Sequence, residues 1–163
     1  MNNKSTIYTI GHSNRSLMEF IKLLKMYNVK VVVDVRRFPK STKYPHFNKD
    51  NLSQALSKHD IGYLWLGDLL GGYRKGGYEN YMKSKDYMNG IRKLIEVLNT
   101  YGSGKVAIMC SEKLWFKCHR RFIADTLTSM GYTVIHIIDE GTTYKHKLRK
   151  KKLEPLLDAG ENQ

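Results

Sequence analysis

Both cysteines of the chain fall in one short stretch, Cys110-Ser111-Glu112 and then Cys118-His119-Arg120-Arg121, within twelve residues. A thiol beside histidine and arginine loses its proton more readily, because nearby positive charge favours the nucleophilic thiolate. The spacing predicts Cys118 at the start of a helix, where the N-terminal dipole adds to that effect. Cys118 is thus the first candidate nucleophile or sulfur acceptor, with Cys110 as its resolving partner or as the nucleophile itself. A cysteine closing a buried strand is also commonly a small apolar side chain, so both readings of Cys110 stand. His12 and His119 are the candidate acids or bases, since histidine titrates near neutrality without large perturbation, and Glu112 can orient one of them.

Other residues suit an anion. Arg36, Arg37 and Arg120 carry guanidinium forks that match phosphate or carboxylate bidentately. Ser13 and Asp34 complete the candidate substrate-binding set, although Asp34 is equally suited to pairing with Arg36 or Arg120. Tyr44, Phe47, Tyr73 and Tyr78 are interleaved with lysine and glycine in two long loops, a pattern that suits stacking on unpaired bases. A zinc or iron site from Cys110, Cys118, His119 and His12 has the right donor types, but Cys-x7-Cys-His is not a usual zinc spacing. No residue is assigned as a metal ligand.

These residues need a scaffold. Thr6–Ile10 reads as a strand, and Ser16 with Glu19 forms a capping box opening a helix that buries Leu17, Phe20, Ile21 and Leu24. Val29–Val35 is a nearly unbroken apolar run, as in a strand covered on both faces. Asn51–His59 reads as a short helix, Ile61–Leu66 as a third strand and Tyr81–Tyr101 as a helix with Met88, Ile91, Leu94, Ile95 and Leu98 inward. Between the last two, Gly67 to Tyr78 is a glycine-rich loop expected to lie outside the core, and it matches no phosphate-loop or dinucleotide fingerprint. A fourth strand ends at Cys110, a helix carries Phe122, Ile123 and Leu127, and Tyr132–Ile138 forms a fifth strand.

Strands alternating with helices predict an α/β fold: one domain, a mainly parallel sheet of about five strands, and helices on both faces in a Rossmann-like three-layer arrangement. In such a sheet the carboxyl ends of all strands share one edge. That edge would gather Gly11-His12-Ser13, Asp34 to Arg37, Gly67-Asp68, Cys110 to Glu112 and Asp139-Glu140.

The chain of 163 residues carries a net charge of +13. Residues 1–144 keep +10 of it, and Lys145 to Lys152 begin a basic C-terminal tail over residues 145–163. Such a field attracts polyanions, which makes nucleic acid or a nucleotide the expected partner. No apolar run approaches the ~20 residues of a membrane span, and the first residues lack a signal-peptide core. Two cysteines without a disulfide framework fit a reducing compartment, so a cytoplasmic protein is expected, although a Cys110–Cys118 bridge is compatible with the spacing.

Five motifs in order resemble the domain of unknown function 488 family: Thr9 to Ser13, Val33 to Arg36 with Pro39 and Ser41, Leu66-Gly67 with Leu70-Gly71-Gly72, Met109 to Glu112, and Cys118 to Arg120. The resemblance implies an α/β fold and a shared site built from these motifs, but neither a settled reaction nor a cofactor. The leading expectation is a cysteine-dependent enzyme acting on an anionic nucleotide or nucleic-acid substrate. The alternatives are a non-catalytic nucleic-acid-binding module and a metal-binding protein. A rhodanese-like or phosphatase-like enzyme shares the strand, cysteine loop and helix, yet the Cys-x5-Arg spacing from Cys110 is absent.

Overall fold

Apolar segments that can be covered on both sides pair into one sheet, seen in a computed structural model that describes residues 4–148. The elements follow in order: β1 (Thr6–Gly11), α1 (Leu17–Met26), β2 (Val31–Asp34), α2 (Lys49–Ser57), β3 (Gly62–Trp65), the single turns α3 (Gly67–Leu70) and α4 (Tyr78–Tyr81), α5 (Lys85–Tyr101), β4 (Val106–Cys110), α6 (Arg120–Ser129), β5 (Thr133–Asp139) and β6 (Thr142–Lys145). The spatial order is β3-β2-β4-β1-β5-β6, parallel except for β6. The mainly parallel α/β sheet expected from the pattern is present, with one antiparallel edge strand added.

Side chains alternate between two cores. Val31 and Val33 of β2 and Val106, Ile108 and Cys110 of β4 pack with α5 and α6, where Leu94, Leu98, Ile123 and Leu127 are buried. Val32, Ala107 and Met109 face the other way, onto Phe20 and Leu24 of α1 and Leu52 and Leu56 of α2. At about 1.5–3 kcal/mol for each fully buried large apolar side chain, both layers contribute substantially to the fold. α1 starts at the capping box, with the Ser16 side chain accepting from Glu19 N at 3.1 Å and the Glu19 carboxylate accepting from Ser16 N at 2.8 Å.

Several expectations are corrected. α5 begins at Lys85, and Tyr87 rather than Met88 faces the core, because Tyr87, Ile91, Leu94 and Leu98 follow the 4-3-4 spacing of one helix face. The glycine-rich stretch is partly core: Gly67, Gly71 and Gly72 are buried, and α3 packs on α5. The basic tail starts later than residue 145, since Lys145 closes β6 and His146 is buried, donating its backbone N–H to Val134 O at 2.8 Å. Arg149 to Lys152 lie outside the described residues. Among the described residues no helix is long and apolar enough to cross a membrane.

β1 and β4 are neighbours, with Gly11 opposite Cys110, but their connections leave in opposite directions. β1 leads through α1 to β2, and β4 leads through α6 to β5. A crevice opens where two such connections diverge. The loop after Cys110 folds back over it so closely that a Cβ on Gly11 would lie 1.7 Å from the Glu112 carbonyl oxygen. Gly11→Ala is therefore expected to lower stability by about 3 kcal/mol, the upper end for forced overpacking, as measured by urea unfolding.

Candidate active site

The crevice is a cavity of about 1130 Å³, lined from β1 by His12 and Ser13, from β2 by Arg36 and Arg37, and from the β4 loop by Cys110 to Leu114, Phe116 and Lys117. Cys118, His119 and Arg121 close it from the α6 side, with Gly72, Tyr73 and Tyr78 arriving from the glycine-rich stretch. The carboxyl end of β5 stays outside. Asp139 pairs with Arg15 and Lys113, and Glu140 with Lys22, so this strand end braces the surface beside the cavity. Asp68 at the end of β3 does not line it either.

The two thiols lie together, Sγ to Sγ 2.9 Å, and both cysteines are free. Cys118 sits two residues before the first helical residue, Arg120, rather than opening the helix as expected. Its sulfur still receives the helix: the Arg120 backbone N–H and the Arg120 Nε each donate to Cys118 Sγ at 3.3 Å. The hydrogen bond from the Cys110 thiol is the largest cause that draws the Cys118 pKa down, to about 6. Burial opposes this, and the Arg120 charge reinforces it. Cys110 moves the other way, raised by burial and by its bond to Cys118. The pair is thus polarised, with Cys118 as thiolate and Cys110 as its proton donor.

Arg120 is not a substrate ligand. It is 1% exposed. Its terminal nitrogens donate to Thr9 Oγ1 at 3.0 Å, to Glu112 O at 2.5 Å and to Lys113 O at 3.3 Å, which pins the cysteine loop over the guanidinium. Among the described residues no carboxylate lies within ion-pair distance of it. The counter-charge of this buried cation is the Cys118 thiolate.

Arg36 is likewise committed to the protein. Its Nε and a terminal nitrogen donate to both oxygens of the buried Asp34, at 2.9 and 2.8 Å, and Tyr63 donates its hydroxyl to the same carboxylate. Asp34 is therefore a structural counter-ion rather than a ligand for substrate. The remaining Arg36 arm donates to His12 Nε2 at 3.3 Å, while His12 Nδ1–H donates to Ser13 O at 2.9 Å. This fixes the tautomer, and burial lowers the His12 pKa to about 4. His119 donates Nε2–H to Val35 O at 2.9 Å, and burial lowers its pKa to about 4 as well. Both histidines are neutral at physiological pH. Burial thus disfavours the protonated form of both.

With both His12 nitrogens engaged and His119 tied to the backbone, the four-residue metal set is not assembled. Among the described residues no group of three or more potential ligands is arranged to hold a metal. Of the aromatic candidates, Phe47 is 0% exposed and stacks on His12 at 4.4 Å, so it is core. Tyr78 is half-buried, its hydroxyl donating to Leu70 O at 2.7 Å. Tyr73, 85% exposed, lies at the rim with Phe38, 65% exposed, their ring centroids 5.9 Å apart. Tyr44 lines the same rim, and Arg37 donates to Tyr73 O at 2.7 Å. Phe38 and the half-exposed Phe116 were not singled out from sequence, and nothing in their spacing marks them. Glu112 directs its carbonyl to Arg120, and its exposed side chain is the cavity's carboxylate.

The family model described as a domain of unknown function, DUF488, matches residues 16–127. The chain belongs to this family. No curated protein and no solved structure matches it. The DUF488 match includes Asp34, Arg36, Gly72, Cys110, Glu112, Cys118 and Arg120, so most of the polarised site lies inside the shared region. His12 and Ser13 precede it, though they sit against the DUF488 cysteine loop through Ser13 N to Ser111 O at 2.9 Å.

The polarised pair has a measurable signature. Iodoacetamide should label Cys118 at a rate nearly constant from pH 7 to pH 9 and falling about tenfold per pH unit below pH 6, as thiolate is lost. Cys110→Ala, lacking a charge-assisted bond of about 1.5–3 kcal/mol, should react at least about tenfold more slowly at pH 6. Peptide mass spectrometry reads both rates.

Proposed function

We propose that this DUF488 domain is a cysteine-dependent enzyme acting on an anionic nucleotide or nucleic-acid substrate, with Cys118 as nucleophile. The observation that carries the reading is the Cys118 sulfur held between the Cys110 thiol and the buried Arg120 guanidinium at the floor of an open cavity. A thiolate stabilised by one cation and one proton donor can attack an electrophilic centre. The leaving group then departs with its electron pair and is protonated from Cys110. In the second half, the Cys110 thiolate takes a proton from the incoming acceptor, which displaces Cys118 and restores the pair.

The rim supports the substrate class. Arg37, Lys40, Lys43, Lys117 and Arg121 line the cavity, against the single carboxylate of Glu112. Because Arg36 and Arg120 are neutralised within the protein, phosphate recognition falls to these outer cations. The exposed Phe38 and Tyr73 give a surface on which an unpaired base can stack. A non-catalytic nucleic-acid-binding module accounts for this rim but not for the ionised thiol beneath it.

Binding and chemistry separate experimentally. A fluorescently labelled single-stranded oligonucleotide should bind more weakly as salt rises, and Tyr73→Ala should cost about tenfold in affinity, within the range for one stacked base. Cys118→Ser should bind as the wild type does. Incubated with ribonucleotides and short RNAs, the wild-type chain should gain a covalent mass on Cys118 that Cys118→Ser does not. An unmodified Cys118 would leave only the binding module.

A further inference from the structure

Behind the cavity a second group of polar residues is buried where none was expected from sequence. Thr9 and His136 are 0% exposed and His146 nearly so, yet each has its partners. Arg120 donates to Thr9 Oγ1 at 3.0 Å. Thr9 Oγ1 lies 2.6 Å from His136 Nδ1, His136 Nε2 lies 2.9 Å from His146 Nδ1, and His146 Nε2 lies 2.6 Å from Asp125 Oδ1. Four links therefore run without a break from the guanidinium to a partly exposed carboxylate on α6.

The ends fix the direction of every link. Arginine can only donate and an ionised carboxylate can only accept. Thr9 must accept from Arg120, which leaves its hydroxyl hydrogen for His136 Nδ1. His136 then carries its proton on Nε2 and donates to His146 Nδ1, and His146 donates from Nε2 to Asp125. Burial, then His146 and Arg120, keep His136 neutral, as this order requires. Trp115 covers the ring of His136 at 4.6 Å and 7° and meets His146 edge-on at 5.0 Å, with Tyr144 stacked beside them, so water is kept from the chain.

We propose that Thr9, His136, His146 and Asp125 form a positioning chain that orients Arg120 against Cys118 and so keeps the nucleophile ionised. The proposal rests on Cys118 being the reactive group of the functional reading above, but not on the substrate. If Thr9 could not accept, one arm of Arg120 would be left buried without a partner, and the guanidinium would turn from the sulfur to find one. The other titratable groups facing Cys118 do not replace it. Cys110 supplies a proton rather than a charge, Tyr78 donates to Leu70 O, and His119 is neutral and tied to Val35 O. Around the far end, Asp125 is the acceptor that holds the direction of the chain, and Tyr87 meets α6 through Thr126 rather than through the chain.

The test is the pH profile of Cys118 alkylation by iodoacetamide, which needs no substrate. Thr9→Val keeps the shape and removes the acceptor, and should slow labelling at pH 6 about fivefold, the loss of thiolate that a rise of one pKa unit produces there. Asp125→Ala, four hydrogen bonds from Arg120, should slow it about threefold, a smaller pKa displacement in the same direction. Asp125→Asn retains an acceptor for His146 and should restore the wild-type profile. At pH 9, where the thiol is ionised in all of them, the rates should converge, which a variant with a damaged fold would not do. Identical profiles for wild type, Thr9→Val and Asp125→Ala would overturn the chain. A wild-type Cys118 that titrates as an ordinary thiol would instead overturn the functional reading.

Discussion

A buried guanidinium that meets no carboxylate among the described residues is the constraint around which this molecule is arranged. Removing a cation from water is costly unless an opposite charge and a full set of acceptors replace the solvent. Arg120 obtains the acceptors from Thr9 and the carbonyls of Glu112 and Lys113, and the charge from Cys118. One side chain thereby closes the loop between the cysteines, joins it to β1 and holds the thiol ionised. The close approach of that loop explains why the position opposite Cys110 is glycine. A side chain on Gly11 would push Glu112 O away from the guanidinium it accepts from.

Topology decides where this can happen. Crossovers that move toward β3 use α1 and α2 on one face, and those that return use α5 and α6 on the other, as a single crossover handedness requires. β1 and β4 stand at the point where the two directions part, so no connection covers their carboxyl ends. The polar groups that follow them face each other across the opening. β2 contributes from one strand further out, and its arginine reaches back to His12. β5, on the other side, is capped by the ion pairs of Asp139 and Glu140 and takes part only through His136 on its buried face.

What was legible in the sequence was local. The valine run of β2 and the Ser16–Glu19 box report their structure because burial on two faces and helix capping act over a few residues. The union of His12, Cys110 and Cys118 was also legible, since a parallel sheet brings strand ends together whatever their order. The roles within the site were not. Arg36 and Arg120 read as free anion binders because composition does not show which acceptors a guanidinium meets, and those acceptors are a buried aspartate, a threonine and two loop carbonyls. Phe47 read as a base-stacking residue in a proline-containing loop, yet its ring fills the space between His12 and Phe20. β6 went unseen because Thr142 to Lys145 are all exposed and show no alternation. His146 was hidden among lysines, and only the antiparallel turn of β6 returns it to His136.

The charge balance of the inner site bears on how an anion can approach a thiolate at all. The cysteines lie too close to lose both protons readily, since a second negative charge 2.9 Å from the first would be strongly disfavoured. Over the neutral range the pair carries one proton and one charge, matched by the one guanidinium of Arg120. Arg36 and Asp34 cancel in the same way, and His12 and His119 are neutral. The floor of the cavity is therefore close to electrically neutral while its rim is strongly cationic. Lys40, Lys43, Lys117 and Arg121 thus surround a floor that adds little net charge of its own. The guanidinium that stabilises the Cys118 sulfur lies behind it, buried within the protein rather than exposed in the cavity.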